Sequence, residues 1–284
     1  MPKDFPPQHQ DQQPGFEYAM NPHPIDEDPN YKAAGKLKGK VAVITGGDSG
    51  IGRAITIAFA KEGANIAIVY LNEEFDAEET KKRVREIGQH CHLVPGDIRD
   101  ELFCQEAVSQ IIEEFGQIDI LVNNAGEQCP QDSIIDISEL QLVKTFESNV
   151  FSMFFMTKAV LKYMKEGGTI INTASITAYR GSSSLIDYSA TKGAIVAFTR
   201  SLSQNLMDKN IRVNAVAPGP VWTPLIVSSF DMRNIPKFGQ DTPMGRPGQP
   251  FELAPAFVYL ASNEDSGYVS GQTIHVNGGE VVNG

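Results

Sequence analysis

The amino-acid sequence predicts one α/β domain built on a seven-stranded parallel sheet, doubly wound with helices on both faces. Three observations lead there. Short, nearly continuous apolar runs rich in Val and Ile recur along the chain, and such runs suit strands covered on both faces. Amphipathic stretches of helical length separate them, and alternation of β and α over the whole length implies one sheet with right-handed crossovers. Hydrophobic residues make up 41% of the 284 and charged residues 21%, enough apolar surface for one large core. The net charge of −11, with no local cluster of Lys and Arg, argues against nucleic-acid or anionic-membrane partners. No apolar run approaches the roughly 20 residues that span a bilayer, so a soluble protein is expected.

The elements follow in order. Residues 1–38 hold seven of the 17 prolines, interleaved with Gln8, Gln10, Gln12 and Gln13. Proline fixes φ and removes a backbone donor, so neither helix nor sheet propagates there. This stretch is an arm, and Phe5, Phe16, Tyr18 and Tyr31 leave two readings open: a frayed tail, or a segment packed on a neighbouring subunit. The domain proper is expected over 39–284. Strands are expected at 41–45, 64–70, 92–95, 118–122, 168–173, 211–216 and 272–276, and helices at 53–63, 75–88, 101–115, 138–165, 187–209 and 250–261.

The opening Met1-Pro2-Lys3-Asp4 leads into no apolar run of a secretory leader, so export is not expected. Three cysteines, Cys91, Cys104 and Cys129, are odd in number and show no paired spacing, which points to free thiols and a cytoplasmic, reducing location. His90-Cys91-His92 is read as an edge strand with solvated imidazoles, because on a strand Cys91 points away from the two His side chains.

The first strand runs into Thr45-Gly46-Gly47-Asp48-Ser49-Gly50-Ile51-Gly52-Arg53, directly before a helical stretch. Glycines let the backbone turn tightly and approach a ligand, and the helix that follows offers free N–H groups and the positive end of its dipole to a pyrophosphate. Asn123-Asn124-Ala125-Gly126 closes the fourth strand, and Asp97 follows the third. Ser175 lies thirteen residues before Tyr188, with Lys192 four after it and Asn149 in the preceding long helix. Pro218-Gly219-Pro220-Val221-Trp222-Thr223 follows the sixth strand. On a helix Tyr188 and Lys192 share a face. A phenol with a pKa near 10 is a poor base at neutral pH, and a neighbouring ammonium favours its phenolate, each unit of downward shift being worth about 1.4 kcal/mol.

Over about residues 39–279 these segments, in this order, resemble the short-chain dehydrogenase/reductase family. The resemblance implies a Rossmann-like fold, a nicotinamide cofactor, and hydride transfer to or from a carbonyl or alcohol substrate such as an aldehyde, ketone or sugar. It implies that Tyr188 gives a proton to the carbonyl oxygen or takes one from the alcohol, and that Ser175 hydrogen-bonds the same oxygen. Lys192 would lower the Tyr188 pKa and hold the nicotinamide ribose, while Asn149 would anchor a proton-relaying water. The cofactor would lie against Gly46, Asp48, Ser49, Gly50, Ile51 and Gly52 of the glycine turn, and against Tyr70, Leu71 and Asn72 after the second strand. Asp97 and Ile98, Asn124, Ala125 and Gly126, and Thr173 would follow, with Pro218, Gly219, Val221 and Thr223 at the nicotinamide end beside Tyr188 and Lys192. No metal is implied.

The acidic residue usual at the end of the second strand is replaced by Tyr70, followed by Leu71, Asn72, Glu73 and Glu74, and no Arg or Lys occurs between Tyr70 and Glu79. A 2′-phosphate would meet Glu73, Glu74 or Asp48 without a guanidinium clamp, so NAD is expected, with NADP the alternative. Between Thr223 and Gly248 the family places a substrate lid. Here the segment from Trp222 to Met244 is rich in large apolar residues that face a substrate with hydrocarbon character or pack the lid down. The resemblance implies a homotetramer of 222 symmetry that pairs the long helices, and the stretches 138–165 and 187–209 carry enough apolar residues to serve two faces. A non-catalytic dinucleotide sensor is the alternative function, disfavoured by the joint presence of Ser175, Tyr188 and Lys192. An extended-type epimerase or dehydratase is disfavoured by the glycine spacing, and an enoyl reductase by the four-residue spacing of Tyr188 and Lys192.

Overall fold

β1 (Val41–Thr45) consists of five buried residues and leads through α1 (Gly50–Lys61) to β2 (Asn65–Tyr70), α2 (Glu74–Ile87), β3 (Cys91–Pro95), α3 (Glu101–Phe115) and β4 (Ile120–Asn123). The second half continues with α4 (Glu139–Phe146), a π-helical turn over Glu147–Phe151, α5 (Ser152–Val160), β5 (Thr169–Thr173), the short α6 (Thr177–Arg180), α7 (Ile186–Asn205), β6 (Arg212–Pro218), α8 (Pro224–Val227), α9 (Pro250–Ala261), α10 (Asn263–Ser266) and β7 (Thr273–Val276). The computed structural model describes residues 1–282. The seven strands form one parallel sheet in the order β3-β2-β1-β4-β5-β6-β7.

Side chains alternate across the sheet as a period of two requires. Ala42, Ile44, Ile66 and Ile68 join the core beneath α1, α2 and α9, whereas Val43, Ala67 and Val69 face α3 and α5 on the other side. Strand order reverses between β1 and β4, so their carboxyl ends diverge and leave a crevice, the place where open α/β sheets bind ligands.

Strands fall within two residues of their expected positions, but the helix expected over 138–165 is not continuous. Ser138 caps α4, accepting from Gln141 N–H, and the regular helix gives way at Glu147–Phe151 before ending at Val160. A π turn inserts an extra residue and rotates the side chains that follow, and here it places Asn149 inward and fully buried. At the sheet edge, Cys91 is buried and His90 pairs with Glu114, while His92 is half-buried rather than solvated.

The arm is not a frayed tail in this chain: it folds back onto the domain. Phe5 stacks on Trp222 with centroids 3.9 Å apart, and Phe5 and Met20 share a buried cluster with Trp222, Ile226, Val227 and Ile235. Phe16 stacks on Tyr18, which meets Phe75 edge-on, and Tyr31 donates to Glu62. Ionic contacts fix the rest. Buried Arg53 is held by Glu17 and Asp76, and Arg83 donates to Asp26 at 2.7 Å. Apart from the Phe16–Tyr18 stack, no local pattern announces these contacts, since the partners lie tens of residues apart.

Candidate active site

At the carboxyl ends of β1, β4, β5 and β6 a cleft of about 400 Å³ opens, and most residues expected at a cofactor or catalytic site line it. The turn after β1 is shaped by two glycines. Gly46 has φ +63°, a left-handed conformation that costs glycine nothing. At Gly52 an added Cβ would sit 1.7 Å from Gly46 O, so helix and turn touch backbone to backbone. This close approach aims the first turn of α1, whose N–H groups have no partner within the helix, into the cleft.

Asn124 ties the wall together. Its backbone N–H donates to Thr45 Oγ1 at 3.0 Å, and its amide donates to Thr45 O and Gly46 O at 3.2 Å each. It thus fixes β4 to the turn, with Ala125 and Gly126 continuing the lining. Pro218, Gly219, Val221 and Thr223 form the opposite side. Val221 bridges Gly248, and a Cβ on Gly219 would meet Asn277 Cα at 2.7 Å, so this strand end is also closely packed.

The adenosine end expected of a dinucleotide is acidic. Tyr70 donates to Glu74, and Glu73 Oε2 accepts from the N–H groups of Leu71 and Asn72 at 3.2 and 2.8 Å. Asp48 is fully buried; burial, then the nearby Glu73, push its carboxyl up to about 7. Its Oδ2 has no hydrogen-bond partner, although buried polar atoms are nearly always paired. A sugar hydroxyl at this place would supply one. Asp97 is occupied by Arg99, whose Nε lies 3.0 and 2.9 Å from its two oxygens and whose guanidinium holds the Asp97 carboxyl below its usual range. Leu71, Asp97, Ile98 and Ile51 all line the cleft, whereas exposed Asn72 and buried Gly52 do not.

At the other end Ser175, Tyr188 and Lys192 line the same cleft. Ser175 follows β5, and the α7 helix carries Tyr188 and Lys192 on one face, with Lys192 Nζ 5.3 Å from the centre of the Tyr188 ring. Lys192 Nζ donates to Thr173 O at 2.9 Å. Burial works against the expected depression of the Tyr188 pKa. Burial pushes the phenol up to about 12, only partly opposed by the Ser175 hydroxyl, and burial brings Lys192 down to about 7. Desolvation disfavours whichever form is charged, so in this dry pocket both groups are driven towards neutrality. Asn149 lies behind the pocket. Its Oδ1 accepts from Glu127 N–H at 2.8 Å, and its amide donates to Glu127 O at 2.9 Å and to Thr191 Oγ1 at 3.1 Å.

The lid resolves differently from its composition. Trp222, Val227 and Ile235 pack against the arm, leaving Leu225, Ile226, Phe230 and Phe238 to face the cleft. Arg233 is paired with Asp231, and Arg246 with Glu252. Sequence reasoning missed Gln13, Pro14 and Gly15 of the arm, which line the cleft as well. Among the described residues no three His, Cys, Asp or Glu side chains converge as a metal site would need.

The family model described as "Enoyl-(Acyl carrier protein) reductase" matches residues 46–280. The chain is 63% identical to "Uncharacterized oxidoreductase YhxC" of Bacillus subtilis (strain 168), over 99% of this chain and 98% of the relative. It is 52% identical to "Glucose and ribitol dehydrogenase" of Daucus carota, over 99% and 98%. It is 50% identical to "NADPH-dependent aldehyde reductase 1, chloroplastic" of Arabidopsis thaliana, over 97% and 98%. Among solved structures, a short chain dehydrogenase from Burkholderia cenocepacia J2315 in complex with NADP superposes with a TM-score of 0.80 at 28% identity, covering 86% of this chain and 98% of that one. The glycine turn, the parallel sheet and these matches agree: the chain belongs to the short-chain dehydrogenase/reductase family and is a nicotinamide-dependent hydride-transfer oxidoreductase.

Proposed function

We propose that the protein interconverts a small aldehyde or aldose and the corresponding alcohol, with Tyr188 as the proton donor and acceptor. The observation that carries this reading is the meeting of Tyr188, Ser175 and Lys192 at one end of a cleft whose other end suits a dinucleotide. The names of the carrot and Arabidopsis relatives support the substrate class.

When bound, the nicotinamide supplies or accepts the hydride, and the side chains position the reactants and handle the proton. Ser175 Oγ holds the substrate oxygen. Tyr188, kept protonated by its burial, delivers a proton to that oxygen during reduction and must surrender it before alcohol oxidation. Lys192, fixed by Thr173 O, reaches the nicotinamide ribose and, when charged, stabilises the phenolate. Asn149 holds the β4 loop to α7 through Glu127 and Thr191, and in this reading it would anchor a proton-relaying water behind the pocket.

The cofactor of this reading is NAD. Buried Asp48 and Glu73 and the Tyr70–Glu74 pair at the adenosine end favour a hydroxyl and oppose a dianionic phosphate. The reading stands against one relative named for NADPH and one solved structure that holds NADP, and titration of NADH and NADPH into the apoprotein tests it: tighter NADPH binding would refute it. Exposed Phe151 and Phe154 on neighbouring turns support assembly as a homotetramer through α4 and α5. Cys91 and Cys104 are buried and unpaired, which supports a cytoplasmic location, and no helix among the described residues is long and apolar enough to cross a membrane.

The test of the reaction is a panel of aldehydes, ketones, aldoses and polyols assayed with both cofactors. Tyr188→Phe should lower kcat by about 10² or more while NADH binds as in the wild type; unchanged turnover would remove Tyr188 from its assigned role.

A further inference from the structure

The arm crosses the mouth of the cleft and is anchored on both banks. On the lid side, Gln10 N–H donates to Val227 O at 2.8 Å and His9 Nδ1 lies 2.9 Å from Phe230 O. On the β4 side, Gln13 spends both ends of its amide on the backbone of Gln128: Nε2 donates to Gln128 O at 2.8 Å, and Oε1 accepts from Gln128 N–H at 3.2 Å. Gln128 Nε2 in turn reaches Ser229 Oγ at 2.9 Å, closing the same gap. Between these anchors the arm is a tight loop, because the Gln10 amide donates to Phe16 O at 2.9 Å and accepts from Phe16 N–H at 2.7 Å.

The fit is close. At Gly15 an added Cβ would stand 2.7 Å from Pro224 O and 2.9 Å from Ser228 Cβ, so the loop lies directly on α8. Farther out, Trp222 Nε1 donates to Pro22 O at 3.0 Å, and the Phe5 ring covers the indole. Lid and β4 loop are far apart in sequence, and the arm joins them above the pocket that holds Ser175 and Tyr188. Gln13, Pro14 and Gly15 therefore line the same cleft as Leu225, Phe230, Ser175 and Tyr188.

Resting on the oxidoreductase reading above, we propose that residues 13–15 are the outer wall of the substrate chamber. Gln13 is its specificity-determining residue, restricting the chamber to short, hydroxyl-bearing carbonyl compounds. The rim it makes with Gln128 is polar and its width is fixed by backbone hydrogen bonds, so a bulky aryl group meets the wall whereas a short hydroxyaldehyde fits beneath it. With the Gln13 amide removed, the wall loses its hold on the β4 loop and the chamber widens.

The experiment compares full-length wild type, Gln13→Ala and Gln10→Ala on glyceraldehyde and on an aryl ketone. NADH affinity is followed by nicotinamide fluorescence, and arm seating by the emission of Trp222, the single tryptophan of the chain. In Gln13→Ala, KM for glyceraldehyde should rise about five- to tenfold, carried by KM rather than kcat. Its preference over the aryl ketone should shrink by a similar factor, with NADH affinity and Trp222 emission as in the wild type. A readout free of turnover is acrylamide quenching of bound NADH, whose quenching constant should at least double in both variants. Unchanged size preference together with unchanged quenching would overturn the proposal. Wild-type protein that binds NADH yet turns over nothing on the panel would count against the oxidoreductase reading, leaving the quenching comparison to decide the wall.

Discussion

A phenol and an amine buried side by side set the pH behaviour of the reaction. Burial holds the Tyr188 proton to about 12 and releases the Lys192 proton near 7, so near neutral pH the pair rests with Tyr188 protonated and Lys192 only partly charged. Carbonyl reduction needs that phenolic proton, which burial keeps in place well above neutral pH, whereas alcohol oxidation needs a place to put one and should quicken as pH rises. In Lys192→Met the ammonium that favours the phenolate is gone, so the rise of kcat/KM for alcohol oxidation should move upward by about one pH unit or more. A profile that does not move would separate Lys192 from the proton chemistry. At Gly52 the argument is steric. Gly52→Ala drives a methyl into Gly46 O and should weaken NADH binding at least about tenfold and lower Tm, the cost of forced overpacking being roughly 1–3 kcal/mol. Titration and thermal melting check both.

Elements here are held by charges that the sequence hides. Glu17 lies on the short turn Glu17–Ala19 of the arm, accepts from Gly50 N–H at the start of α1, and pairs with Arg53, which also binds Asp76 on α2. Burial, then Asp26, push Glu17 up to about 8 despite Arg53. A carboxyl with a raised folded-state pKa binds its proton more tightly when folded. Its contribution is thus fully present below the ordinary value of 4.5 and is lost as pH rises through about 8. Tm should therefore fall more steeply between about pH 4.5 and pH 8, the window between the ordinary and the folded-state values, in the wild type than in Glu17→Gln. Parallel curves would mean that Glu17 does not titrate in the fold. The break in the helix expected over 138–165 belongs to the same scale. Apolar periodicity runs through the π turn undisturbed, so nothing local marks it. What fixes it is Asn149, whose amide pairs with the Glu127 backbone and Thr191.

At the scale of the whole molecule, α4 and α5 leave Leu140, Val143, Phe151 and Phe154 exposed, more apolar surface than a helix packed on one side retains. Light scattering should give the mass of four chains, and Phe154→Asp should lower it to a smaller assembly. A monomeric wild type would refute the tetramer. The seven parallel strands, both helical layers and the carboxyl ends of the strands as the place of the site were legible in the sequence, because apolar period and glycine position are local properties that each strand–turn–helix unit carries by itself, whereas the strand order is not local. The shared helix face of Tyr188 and Lys192 was legible from their four-residue step, while Ser175 was joined to them only by the family resemblance. The path of the arm was decided only in three dimensions. Gln13 meets Gln128, Phe5 meets Trp222 and Glu17 meets Arg53 across long separations in sequence. A proline-rich segment without periodicity carries no local trace of the surface that will bury it. The direction of the Tyr188 and Lys192 shifts was likewise settled by burial, because desolvation depends on everything packed around a group and not on the residue four positions away.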